Sequence, residues 1–138
     1  MRIAVRFYDE VAIICLRGKF LAGSDGPFLR QKVTDLIEAG TRKLVIDFSG
    51  VPYIDSTGLG FLVGSRVTTE KAGASLVLAS VNPHVKKILD EVKLSQFFLI
   101  AESEAAALAR VKEAARRPGS PELFPPKGSK GKKPPPAD

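Results

Sequence analysis

The residues best placed for chemistry are Asp55, Ser56 and Thr57, followed by Gly58 and Gly60. They lie where a continuous apolar run, Lys43–Phe48, gives way through Val51-Pro52-Tyr53-Ile54 to an apolar helical pattern. A serine at such a junction is exposed at the end of a sheet and at the start of a helix. Two roles fit it. Asp55 or Ser56 caps the helix by accepting a bond from a free first-turn N–H, a contribution of roughly 1 kcal/mol. Alternatively, Ser56 accepts a phosphate: helix N-termini favour negative charge, so a group of about −1.5 to −2 charge can be added without melting the helix. One residue can serve both roles, and the two glycines leave the helix start uncrowded for a second protein.

Other chemistry is poorly supplied. Cys15 is the only cysteine and His84 the only histidine, which excludes a disulfide framework and makes a zinc site improbable. His84 follows Pro83 in a polar first turn and reads as a solvated side chain. Gly58-x-Gly60 continues to Gly64, one residue too late for a dinucleotide fingerprint, and the tail's Gly128-Ser129-Lys130-Gly131-Lys132 only imitates a phosphate loop. Gly23-Ser24-Asp25-Gly26 has the spacing of an RNA clamp with an acidic residue of the wrong sign. Asp47 and Asp55 sit where a phosphoaspartate receiver would place its acceptor, but the acidic pair such a site needs is missing after Gly18. No nucleophile–base pair is present, so an enzyme is not expected, and neither is a cofactor or a metal.

The elements that position the junction follow from periodicity. Ile3–Phe7 and Val11–Arg17 are β-branched runs separated by Tyr8-Asp9-Glu10, which is hairpin spacing. After a Gly-rich connection, Pro27 opens a helix with Phe28, Leu29, Val33, Leu36 and Ile37 at helical spacing, and Gly40 ends it. Lys43–Phe48 is a buried strand. A second helix runs from about Thr57 to Ala72 on a stripe of Leu59, Leu62, Val63 and Val67. Ser75–Ala79 is a strand. Asn82-Pro83 caps a third helix with Val85, Ile88, Leu89 and Val92 inward. Phe97–Ile100 is a last strand, and Ser103 starts an Ala-rich helix with Leu108 and Val111 inward. The order β-β-α-β-α-β-α-β-α implies a single-domain α/β fold with a mixed sheet.

The chain of 138 residues has net charge +6, with 44% hydrophobic and 26% charged residues, a globular balance. The charge divides unevenly. Residues 117–138 hold five basic and two acidic residues, net +3, with seven of the ten prolines. The first 116 residues therefore carry only +3, weak support for direct nucleic-acid binding. The expected organisation is a folded domain over 1–116 and a disordered Pro/Lys-rich tail over 117–138. No apolar run reaches transmembrane length and Arg6 interrupts any signal-peptide core, so the expected place is the cytoplasm, without membrane insertion.

The stretch Leu44-Val45-Ile46-Asp47-Phe48-Ser49-Gly50-Val51-Pro52-Tyr53-Ile54-Asp55-Ser56-Thr57-Gly58-Leu59-Gly60 resembles the signature of STAS domains, and specifically of bacterial anti-sigma factor antagonists. Gly18, Gly73, Val81-Asn82-Pro83-His84-Val85, Leu94-Ser95-Gln96-Phe97-Phe98 and Glu102-Ser103-Glu104-Ala105-Ala106 agree with it, so the resemblance covers about residues 2–115. It implies a STAS-like mixed sheet packed with helices and a protein that regulates transcription by partner switching. Ser56 matches the serine phosphorylated by an anti-sigma factor that is also a serine kinase of the GHKL type. The unphosphorylated form binds this kinase and frees the sigma factor, and a serine phosphatase resets the switch. Thr57 matches the next hydroxyl position. The implied partner surface is Asp55, Ser56, Thr57, Gly58, Leu59 and Gly60. Many members add an Asp shortly after the glycine matching Gly18. Lys19-Phe20-Leu21-Ala22-Gly23-Ser24 has none at that spacing, and Asp25 is the residue available to substitute. Phe61 points off the inward stripe at 100° per residue. It reads either as partly buried under a neighbouring loop or as an anchor for the partner. A monomer or weak dimer is expected. The second functional reading is a STAS subunit of a membrane lipid or anion transport system.

Overall fold

The computed structural model describes residues 2–18 and 22–116; within that span the side chains of residues 22–25, 115 and 116 are not described. The Pro/Lys-rich segment 117–138 lies outside the described residues, as do Lys19, Phe20 and Leu21. The elements are β1 (Arg2–Tyr8), β2 (Val11–Arg17), α1 (Ala22–Glu38), β3 (Lys43–Gly50), α2 (Ser56–Lys71), β4 (Ser75–Ala79), α3 (Pro83–Glu91), β5 (Leu99–Ala101) and α4 (Glu104–Arg116). This is the order expected from periodicity, a mixed α/β fold with one five-stranded sheet.

Strands lie in the order β1-β2-β3-β4-β5. β1 and β2 are antiparallel, and all later pairs are parallel. Asp9-Glu10 makes the hairpin turn, with Asp9 at φ 55, a conformation its short polar side chain tolerates. Because strand side chains alternate, the register sorts the sheet into two faces. Ile14, Ile46 and Leu78 stand side by side on one, Ile13, Val45 and Val77 on the other. The first face is covered by Leu29, Val33 and Leu36 of α1, Leu59 and Leu62 of α2, and Val85 and Leu89 of α3. The second is covered by Ala107 and Val111 of α4.

Several elements differ in detail from the periodic reading. α1 begins at Ala22, five residues before Pro27, which lies inside the helix. Proline fits a first turn because no N–H is needed there, but the turn preceding it can still wind, leaving one carbonyl without its usual donor. Phe28 is 69% exposed, not inward, because its neighbour Leu29 takes the buried line with Val33 and Leu36. Val92 is half-exposed as the C-cap of α3, past the last inward turn. The last strand is shifted to Leu99–Ala101, and Phe97 and Phe98 stack edge to face in the turn before it.

Candidate functional site

β3 ends in a kink that aims the loop. Between Cys15↔Asp47 and Arg17↔Gly50 the register slips, so β3 carries an extra residue there. Gly50 approaches β2 so closely that a Cβ on it would sit 2.9 Å from the Leu16 carbonyl oxygen. The Gly18 N–H, with Gly18 at φ 103, donates to the Gly50 carbonyl at 2.8 Å. Beyond the bulge, Val51 and Ile54 are buried in the first core and pin the loop, leaving Pro52 and Tyr53 outside. Asn82 adds a polar pin. Its Nδ2 donates to the Val51 carbonyl at 2.9 Å while its Oδ1 accepts from the Val85 N–H at 2.8 Å, so one side chain caps α3 and ties it to the loop. The Tyr53 and His84 rings stack at 6.0 Å on the same rim.

Asp55 caps α2. Its backbone is extended, and Oδ1 accepts from the Gly58 N–H at 2.6 Å. Of the two capping candidates, Asp55 makes the bond, and Ser56 becomes the first helical residue with an exposed side chain. Thr57 is exposed beside it. The first turn holds no acidic residue, so within α2 itself no carboxylate offsets the positive helix end, and the Asp55 cap stands just before it. His84 is exposed in the first turn of α3, as its solvated reading requires. Among the described residues, no group of three or more His, Cys, Asp or Glu side chains could hold a metal ion.

The remaining candidate residues separate. Gly60 is exposed, and a Cβ built there meets nothing within 4 Å among the described residues. Gly58 is buried beneath the cap. Leu59 is 5% exposed within the first core, so its side chain is not available to a partner; a leucine three residues before Leu62 on a sheet-facing helix packs inward. Phe61 is half-buried and packs against α1: a Cβ on Gly26 would fall within the Phe61 ring. Asp25 lies in the first turns of α1, and its side chain is outside the described part.

Periodicity also missed a second buried line on α2. Ser65 and Thr69 are fully buried, their hydroxyls donating to the carbonyls of Phe61 and Ser65 at 3.0 and 2.8 Å. Buried Arg66 pairs with Glu70, donates through Nε to the Phe97 carbonyl at 3.1 Å and lies 5.4 Å over the Phe97 ring. That clamp fixes α2 to the turn before β5. A buried arginine has no periodic signal; the aromatic pair at 97 and 98 was the only hint.

The STAS domain family matches residues 2–107. A Bordetella bronchiseptica protein, BtrV, named as a candidate anti-sigma factor antagonist, is 26% identical over 117 residues, 85% of this chain and 100% of its own. The anti-sigma-B factor antagonist of Bacillus subtilis is 38% identical over 79 residues, 56% of this chain and 72% of its own. Among solved structures, unphosphorylated SpoIIAA, an anti-sigma factor antagonist, superposes with a TM-score of 0.62 at 21% identity, covering 80% of this chain and 98% of its own. This chain belongs to the STAS domain family, and its sequence relatives carry the names of anti-sigma factor antagonists. No helix among the described residues is long and apolar enough to cross a membrane.

Proposed function

We propose that this protein is an anti-sigma factor antagonist, a binding module that works by partner switching. Unphosphorylated, it binds an anti-sigma factor that is also a serine kinase of the GHKL type, and so releases a sigma factor. Phosphorylation of Ser56 ends that binding, and a serine phosphatase restores it in the cytoplasm. The observation that carries the reading is the division of labour at the junction. Asp55 holds the cap, so Ser56 is left exposed at the positive end of α2 with open space beside Gly60. A phosphate there leaves the fold in place and changes only what can approach. Like charges forced together at an interface cost several kcal/mol, enough to reverse binding. The contact surface is Ser56, Thr57 and Gly60, with Asp55 and Gly58 shaping it from beneath.

Intact-mass analysis after co-expression with GHKL kinases of the same genome tests this. The wild type should gain one phosphate and Thr57→Ala should still gain one. Ser56→Ala should gain none yet still bind the kinase. Ser56→Asp should keep its fold and bind poorly. Undiminished phosphorylation of Ser56→Ala at Thr57 would overturn the site, and retention of the unmodified wild type by a transporter complex would overturn the function.

A further inference from the structure

Among the described residues, β1 is the long free edge of the sheet: its seven residues pair with β2 on one side only, whereas β5 at the opposite edge has three residues. An edge presents unpaired N–H and C=O groups, and proteins commonly shield it. This one carries two adjacent exposed aromatics, Phe7 at 60% and Tyr8 at 53%. Phe7, Val5 and Ile3 oppose Ala12, Ile14 and Leu16 and so share the first face, where Ile3 and Val5 are half-buried at the rim of the core. Arg2, Ala4, Arg6 and Tyr8 take the second face.

We propose that a second copy of this chain docks on β1, antiparallel and edge to edge, about a two-fold axis at Val5. Side chains alternate, so an axis that keeps like faces together must pass at a residue and not between two. Only the middle residue, Val5, lets all seven residues pair. Phe7 then opposes Ile3 of the second copy, and Val5 opposes Val5. The first faces join in one apolar strip, Phe7-Ile3-Val5-Val5-Ile3-Phe7, which gives the exposed phenylalanine a neighbour. The charges also match. Arg2, exposed at one end of the strand, opposes Tyr8 of the second copy and lies beside its Asp9 and Glu10. Those carboxylates already meet Lys112 at 3.5 Å and Lys43 at 2.8 Å, but their side chains remain 66% and 75% exposed, open to a second cation. Arg6 is held within its own chain by Glu104, so it does not bring a free charge to the seam. Ser56 follows β3, two strands in from the edge, and the axis sends the two junctions to opposite ends, so neither is covered.

Sedimentation equilibrium on the full chain over a range of concentrations tests this. A reversible dimer is expected. Phe7→Lys and Arg2→Glu change exposed side chains; each should raise the dimer Kd by about tenfold or more with the melting temperature of the monomer unchanged. In a Cys15→Ser background, Val5→Cys should form a disulfide-linked dimer on mild oxidation. Phe7→Cys should not, because four residues of offset at about 3.4 Å each hold the two sulfurs too far apart. A monomer at every concentration, a dimer indifferent to Phe7→Lys and Arg2→Glu, or cross-linking through Phe7→Cys in preference to Val5→Cys would each overturn the proposal. If Val5→Cys does not fold, the two exposed-residue variants still decide it.

Discussion

The two faces of the sheet are closed in different ways. On the first, three helices bury Leu, Ile, Val and Phe side chains in one cluster that runs from β2 to the Phe98 turn and includes both anchors of the Ser56 loop, Val51 and Ile54. On the second, α4 presents Ala107 and Val111 to a layer of Val, Ile and Ala. That helix is tied at its rim by Arg6–Glu104, by Lys112–Asp9 and by Lys112 over the Tyr8 ring at 6.0 Å. Apolar burial stabilises in proportion to area, while exposed ion pairs contribute about 0–1 kcal/mol each. The thick face thus holds the junction rigid, and the thin face contributes closure with little redundancy. The switch proposed at the start of α2 would need the first kind of support, because a phosphate on Ser56 would have to change an interface without loosening the fold.

The largest expected effects test that contrast directly. Leu62→Ala empties a fully buried position in the thick cluster and should cost about 2–5 kcal/mol, read as a lowered urea midpoint. Val111→Ala removes less from the thin layer and should cost about 2 kcal/mol. If Val111→Ala proves the more damaging, the second face is the structural one and the contrast is reversed.

The α1–α2 seam sharpens the comparison, because two glycines set how closely its helices approach. Gly26 lies against Phe61, and a Cβ on Gly64 would meet Arg30 Nη1 at 2.9 Å while Arg30 donates to the Thr68 hydroxyl at 3.4 Å. Gly26→Ala must displace the Phe61 ring and should cost about 1–3 kcal/mol, the range for overpacking. Phe61→Ala makes room for the added methyl, so the double variant should be less destabilised than the sum of the singles. Additive losses in chemical denaturation would mean that Phe61 does not face Gly26.

Those residues show where the sequence could be read and where it could not. Element order, the hairpin, the Asn82-Pro83 cap and the junction at Asp55-Ser56 all rest on local signals: alternation, caps, glycines at positive φ such as Gly40 and Gly73. The seam does not. α2 touches both the sheet and α1, so its buried surface is wider than an apolar stripe. Ser65 and Thr69 complete it because their hydroxyls are satisfied by their own helix, a bond invisible in the sequence. The same width explains why Phe61, off the Leu59–Leu62 stripe, still finds a neighbour. Which of Asp55 and Ser56 caps was open until the backbone angle at Asp55 was known.

Asp55→Ala comes next in size. Loss of the cap should cost about 1 kcal/mol and lower the melting temperature modestly. It also frees the Gly58 N–H and lets the first turn fray, so the phosphorylation proposed for Ser56 should slow by more than the stability loss alone would produce. A wild-type phosphorylation rate in a destabilised Asp55→Ala protein would separate the cap from the switch.

The smallest effect is electrostatic, and it asks how far exposed charges support either face. Glu10 is held below the usual carboxylate range first by its hydrogen bond from Lys43, and Asp90 first by Ser95 and then by Lys86. A carboxyl lowered in the folded state contributes stability above its unfolded value, 4.5 for Glu10 and 3.8 for Asp90, and loses it as pH falls through the folded value. Both side chains are largely open to solvent, so the contribution is small and screened by salt. The two differ in reach. Glu10 joins the hairpin turn to β3 across 33 residues, while Lys86–Asp90 spans one helical turn. Glu10→Gln should therefore lower the urea midpoint near neutral pH by more than Asp90→Asn. Both differences from wild type should shrink to nothing once the medium is acidic enough to protonate the folded protein's carboxyls. A Glu10→Gln deficit that survives in acid would come from packing at the turn and not from charge.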